Sequence, residues 1–150
     1  MDFHKLDLLV PVDFSEGSKR AVRAAVGFVR AAGGTITLLH VGGMPHLAAS
    51  DLSMSTAALQ AYMTYADELR DKQRHALDKI AREEIPAEME VHTVLRDGRP
   101  SDEILAQAEE GGHGLIFMGT HGRTGLQRLW MGSVTENVLR KCALPVMTIR

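Results

Sequence analysis

The stretch Leu115-Ile116-Phe117-Met118-Gly119-Thr120-His121-Gly122-Arg123-Thr124-Gly125-Leu126-Gln127-Arg128-Leu129-Trp130-Met131-Gly132-Ser133 decides how this chain is read. Its first four residues form an apolar run short enough for a buried strand. A glycine-rich loop follows, and Val134 to Lys141 has the pattern of a helix. Strand, glycine loop and helix start can together hold a phosphate. Glycine lets backbone N–H groups approach the anion, and the helix N-terminus adds partial positive charge. Glycines at such a place also serve as plain turn formers, so the rest of the chain must decide.

Upstream, strands and helices alternate. Leu6-Asp7-Leu8-Leu9-Val10-Pro11-Val12 reads as a strand buried on both faces, and Ser15 as the N-cap of the helix after it. Val22, Ala25, Val26, Val29 and Ala32 recur at helical spacing until Gly33-Gly34. Thr35 to Val41 is a second strand, rich in β-branched residues. Gly42 to Ser55 is a loop. A long helix follows over about Thr56 to Glu84, with an apolar stripe running from Leu59 through Met63, Ala66 and Leu77 to Ile80. Met89 to Leu95 alternates as a third, edge strand, and Pro100 opens a helix ending at Gly111-Gly112. Downstream of the glycine loop, Ser133-Val134-Thr135-Glu136 matches a capping box, with Ser133 as the N-cap, and Pro145 to Ile149 is a fifth strand.

This alternation predicts an α/β fold: a five-stranded parallel sheet with helices on both faces, taken here in the usual five-strand order 3-2-1-4-5. In such sheets ligands bind beyond the C-terminal strand ends, where the order reverses. Asp13 ends the first strand and Gly119 the fourth, so an acid and the glycine loop converge on one crevice, with Val41 beside them. Asp13 could instead cap the following helix.

Composition narrows the function. The 150 residues suit one domain spanning 1–150. A net charge of −2 gives no reason to expect nucleic acid or an acidic membrane surface. The lone Cys142, the unremarkable N-terminus and the lack of a long apolar run make a cytoplasmic protein the expectation. No Gly-Lys-Ser/Thr follows the glycines, as a Walker A loop needs, and the first strand leads into Val12-Asp13-Phe14-Ser15 rather than a dinucleotide fingerprint. A phosphorelay receiver would need an acidic pair where Asp13 stands alone. His40, His92 and His113 lie on separate elements without metal-ligand spacing.

Gly119-x2-Gly122-x9-Gly132-Ser133 resembles the nucleotide-binding motif of the universal stress protein family. So do Val10-Pro11-Val12-Asp13-Phe14-Ser15, Met118-Gly119-Thr120-His121-Gly122, Gly132-Ser133-Val134-Thr135-Glu136-Asn137-Val138 and Leu144-Pro145-Val146. The resemblance covers the whole chain in order. It implies the same Rossmann-like sheet, of the adenine nucleotide alpha-hydrolase-like type, and the ATP-binding branch of the family. By position, Asp13 would bond the ribose or adenine side and Val41 would meet adenine. Pro11 and Met118 would line the crevice, with Ser15 beside them. Gly119, Gly122, Gly132 and Ser133 would hold ribose and phosphates, aided by Val134 and Thr135, with His121 and Arg123 as polar candidates in the loop. The expected ligand is ATP, or ADP or AMP, and the expected output is regulatory binding in a stress response. Two other functions compete: a slow ATP hydrolase using Mg²⁺ or Mn²⁺, and an interaction module that uses no nucleotide. The exposed edge of the last strand, Val146 to Ile149, favours a homodimer, as the resemblance also implies.

Overall fold

The computed structural model describes residues 6–43, 54–120 and 131–150. Along the chain run β1 (Asp7–Pro11), α1 (Glu16–Ala32), β2 (Thr35–Gly42), α2 (Thr56–Glu84), β3 (Val91–Asp97), α3 (Pro100–Glu110), β4 (Leu115–Gly119), α4 (Ser133–Lys141) and β5 (Val146–Ile149). The strands form one sheet in the order β3-β2-β1-β4-β5, and all pairings are parallel. This is the expected fold, with the reversal of order at β1.

Both faces of the sheet are covered. Leu8, Val10, Ile36, Leu38 and Phe117 pack with Ala21, Val22 and Ala25 of α1 and with Leu77 and Ile80 of α2. Leu9, Leu39, Ile116 and Met118 pack on the other side with Ile104 and Ala108 of α3 and Val138 of α4. Leu8, Leu9 and Val10 are fully buried, which is why β1 is apolar at consecutive rather than alternate positions.

Local signals explain most element ends. Ser15 caps α1, its Oγ accepting from the Ser18 N–H at 3.2 Å. Gly33 stops α1 at a φ of 80°, a conformation that suits glycine. Gly119 is a packing requirement rather than a turn former. A Cβ built there would lie 2.8 Å from the backbone carbon and oxygen of Gly17, so only glycine lets the end of β4 approach the start of α1.

Three expectations are corrected. The capping box is not formed: Gly132 is the N-cap of α4, no side chain caps it, and Ser133 is the first helical residue. Here the loop end is fixed instead by the Gly132 N–H donating to the Thr120 carbonyl at 2.9 Å and by Thr135 Oγ1 donating to the Gly119 carbonyl at 3.0 Å. The third strand starts two residues later than expected, at Val91, because Met89 still closes a turn onto Pro86. It extends to Asp97 because β2 runs on beside it: Arg96 and Asp97 are in register with Val41 and Gly42, and the Gly98 N–H donates to the Gly42 carbonyl. Finally, the stripe of α2 is buried only from Ala66 onward; Leu59 and Met63 are 43% and 59% exposed. A 29-residue helix is about 43 Å long, far longer than the strands it covers, so its first turns, before Ala66, overshoot the sheet.

The base of the sheet is clamped by polar groups. His113, buried just before β4, places Nδ1 2.9 Å from Asp7 Oδ2 of β1. Thr37 Oγ1 of β2 donates to the same carboxylate at 3.0 Å. Burial alone would push the Asp7 carboxyl up, but His113 and the Thr37 and Thr35 hydroxyls together hold it below its ordinary value. The carboxylate therefore stabilises the fold above about pH 4, and that stability is lost as pH falls through the lowered folded-state value. Replacing Asp7 by Asn should cost about 1–3 kcal/mol at neutral pH by leaving His113 without its anion. Urea unfolding should show the gap between Asp7→Asn and wild type closing as pH falls through the lowered folded-state value of Asp7. A second measurement checks the helix starts. Ser15→Ala should destabilise by about 1 kcal/mol, whereas Ser133→Ala should change stability by less than about 0.5 kcal/mol.

Candidate functional site

β1 and β4 pair at Leu8 with Leu115 and at Leu9 with Ile116, and no further. Beyond those residues the strands part, and the chain turns away on opposite faces, into α1 after β1 and toward α4 after β4. The gap is the topological switch point of the sheet. It holds a cavity of about 350 Å³, a size that suits a small organic ligand.

The cavity is built from the ends of elements. Pro11, Val12 and Asp13 come from β1 and the turn after it, and Leu39, His40 and Val41 from the end of β2. Ser18 comes from the first turn of α1, Pro100 and Ile104 from α3, and Met118 and Gly119 from β4. Gly132, Ser133, Val134 and Thr135 come from the start of α4. One wall is thus apolar, formed by Leu39, Val41, Ile104, Met118 and Pro11. The opposite side is a helix start.

Two helix N-termini flank the gap, and they differ. At α1, Ser15 Oγ occupies the Ser18 N–H, and Asp13 Oδ1 accepts from both the Ser15 N–H at 3.0 Å and its hydroxyl. Asp13 is therefore neither the cap nor a bystander; it holds the residue that caps. At α4, no side chain caps Gly132. The first N–H groups of a helix have no partner within the helix, and those of Ser133, Val134 and Thr135 belong to residues lining the cavity. Ser133 is exposed at this helix start.

Of the expected residues, Pro11, Asp13, Val41, Met118, Gly119, Gly132, Ser133, Val134 and Thr135 meet around this one cavity. Ser15 stands behind it as the α1 cap. His121, Gly122 and Arg123 lie outside the described residues, as do Leu129 and Trp130 and most of the loop between β2 and α2. Sequence reading missed Val12, Ser18, Leu39, His40, Pro100 and Ile104. Their one signal was position, at a strand's C-terminal end or a helix's first turn. Among the described residues no three metal-ligating side chains cluster. Among the described residues that line the cavity, Asp13 is the one carboxylate.

Comparison with known proteins agrees with this architecture. Residues 7–150 match the model of the universal stress protein family. The chain is 30% identical to universal stress protein MJ0577 of Methanocaldococcus jannaschii, over 95% of this chain and 93% of that protein. The solved structure of MJ0577 superposes with a TM-score of 0.79 at 27% identity, covering 97% of this chain and 96% of that one. Two more distant structures share the fold. A universal stress protein in complex with cAMP has a TM-score of 0.62 at 20% identity, covering 98% of each chain. The Archaeoglobus fulgidus protein in complex with dAMP has a TM-score of 0.56 at 24% identity, covering 98% of this chain and 99% of that one. With its sheet order, its glycine-bounded crevice and a family match over nearly its whole length, the chain belongs to the universal stress protein family.

Proposed function

We propose that the cavity between β1 and β4 binds an adenine nucleotide, ATP foremost with ADP and AMP as relatives of it, and that binding itself is the protein's output in a stress response. The observation that carries this reading is the pairing of an apolar cavity with an uncapped helix start. A purine ring suits the wall of Val41, Leu39, Ile104 and Met118. Asp13 accepts from a ribose hydroxyl or an exocyclic amine and repels a phosphate. The phosphates then point to α4, where Ser133, Val134 and Thr135 offer backbone N–H groups and the helix dipole. The fold accommodates adenine nucleotides in the cAMP and dAMP complexes.

Turnover is not part of this proposal. Phosphoryl transfer needs charge stabilisation and an oriented water, and among the described lining residues Asp13 is the one carboxylate, already engaged by Ser15. The nucleotide would instead bridge β1, β4 and α4 and stabilise that arrangement by its binding free energy.

Calorimetry with ATP, ADP, AMP and cAMP tests the proposal. Saturable binding is expected for at least one of them. Gly132→Val should weaken it more than tenfold by placing a side chain at the α4 start, with the melting temperature moved by only a few degrees. No heat and no thermal shift at millimolar concentrations of all four would end the proposal.

The assembly proposed with this function is a homodimer through β5. That strand is an edge of the sheet. The Pro145 and Ile149 carbonyls accept from Ile116 and Thr120, so by strand alternation Val146 and Thr148 direct their backbone groups outward. A second copy pairing there would also cover part of Met147, which is 41% exposed. Thr148→Pro removes an outward donor without touching the β4 ladder. In sedimentation velocity, wild type should run as a dimer and this variant as a monomer.

A further inference from the structure

The turn that carries Asp13 is strained. Phe14 has a φ of 66°, the one positive value at a non-glycine among the described residues. For a bulky aromatic residue this is a true outlier, and the left-handed region disfavours any side chain with a Cβ. Such a conformation persists only where its surroundings impose it.

The surroundings are specific. The Val12 N–H donates to the Leu39 carbonyl at 2.7 Å. The Val12 carbonyl lies 2.7 Å from Nδ1 of His40, and since a carbonyl can only accept, Nδ1 carries a proton and donates. The His40 ring also packs on Phe14, with centroids 4.2 Å apart and planes inclined by 35°. His40 is 5% exposed. It thus grips the residue before Asp13 by its backbone and the residue after it by its ring. On the far side, Asp13 Oδ1 accepts from Ser15.

We infer that His40 is the positioning residue of the crevice: it locks the strained Asp13-Phe14 turn and so presents the Asp13 carboxylate to the bound nucleotide. The inference rests on the nucleotide reading above for its consequence, but not for the turn itself. Without the imidazole, Phe14 should relax to a negative φ and carry Asp13 out of place. Asn at 40 keeps a donor near the Nδ1 position. Gln, of similar size, puts its donor one atom farther out, near the Nε2 position.

Crystal structures of nucleotide-free wild type, His40→Leu, His40→Gln and His40→Asn read the turn, and calorimetry with ATP reads the consequence. Expected are a negative Phe14 φ and about tenfold weaker ATP binding in His40→Leu and His40→Gln, with His40→Asn closer to wild type on both counts. Adding Phe14→Gly to His40→Leu should recover most of the affinity, because glycine adopts positive φ without penalty; a general loss of core packing would not be repaired this way. Should His40→Leu not fold, His40→Gln carries the same comparison. Phe14 keeping its positive φ in the folded variant, or Phe14→Gly failing to recover affinity, overturns the inference. If wild type binds no nucleotide, the proposed function falls, while the Phe14 φ in the His40 variants still decides the turn.

Discussion

The end of β4 and the first turn of α1 touch backbone to backbone, and the geometry at this end of the sheet depends on that contact. A side chain at Gly119 would meet the Gly17 carbonyl group at 2.8 Å. Backbone cannot rotate aside as a flexible side chain does, so either α1 or the strand end would have to move. Moving α1 displaces Ser15 and with it Asp13, which Ser15 engages. Moving the strand end displaces the Gly119 carbonyl that Thr135 Oγ1 bonds, and with it the start of α4. One position without a Cβ thus fixes β1's exit, β4's exit and α4's entry relative to one another.

The two ends of the β1–β4 pair are built in opposite ways. At the base, the Gly114 N–H donates to the Asp7 carbonyl, and the Asp7 carboxylate gathers Thr37 and His113. These contacts join β1, β2 and the segment leading into β4, so the strands cannot splay there. At the other end the ladder stops after Leu9 and Ile116, and the connections leave on opposite faces. The switch point is therefore a gap with a fixed base. Its width follows from strand order and helix packing, before any ligand is considered.

How much of this could be read from the sequence varies with what each residue encodes. A strand buried on both faces announces itself, as Leu8-Leu9-Val10 does, by being apolar at consecutive positions. Once five strand-like runs alternate with helices and the usual five-strand order is taken, the meeting of Asp13 with Gly119 follows from general topology. Ser15 and Ser133 show the limit. Both stand before helical segments, but only Ser15 caps, since the turn at Gly132 is fixed by Thr120 and leaves Ser133 already inside the helix. The bounds of β3 show the same limit: they follow from the turn of Met89 onto Pro86 and from how far β2 runs beside the strand, which local sequence does not position. Leu39, Ile104 and Pro100 looked like core or helix-start residues, and they are; their second role as cavity wall comes from where the elements end. His40 was judged for metal binding, whereas its bond is to the backbone of the neighbouring strand's exit.

The asymmetry of the two helix starts gives the crevice a direction. Both α1 and α4 begin at the same end of the sheet, and both dipoles place positive charge there. At α1 that charge is already answered, by the Ser15 cap and by the Asp13 carboxylate fixed beside it. An anion approaching α1 meets a fixed negative charge before it meets the helix. At α4 the cap is glycine, no side chain among the described residues competes for the first N–H groups, and the nearest acid in the helix, Glu136, is exposed and paired with Arg140. The same field that draws an anion to α4 therefore repels it at α1. A ligand with one neutral, hydroxyl-bearing end and one anionic end has a single favourable orientation. On the proposed reading, this orders base, ribose and phosphate along the crevice without any dedicated catalytic group, and it is why the position of Asp13, and hence the strained turn that sets it, matters as much as the glycines.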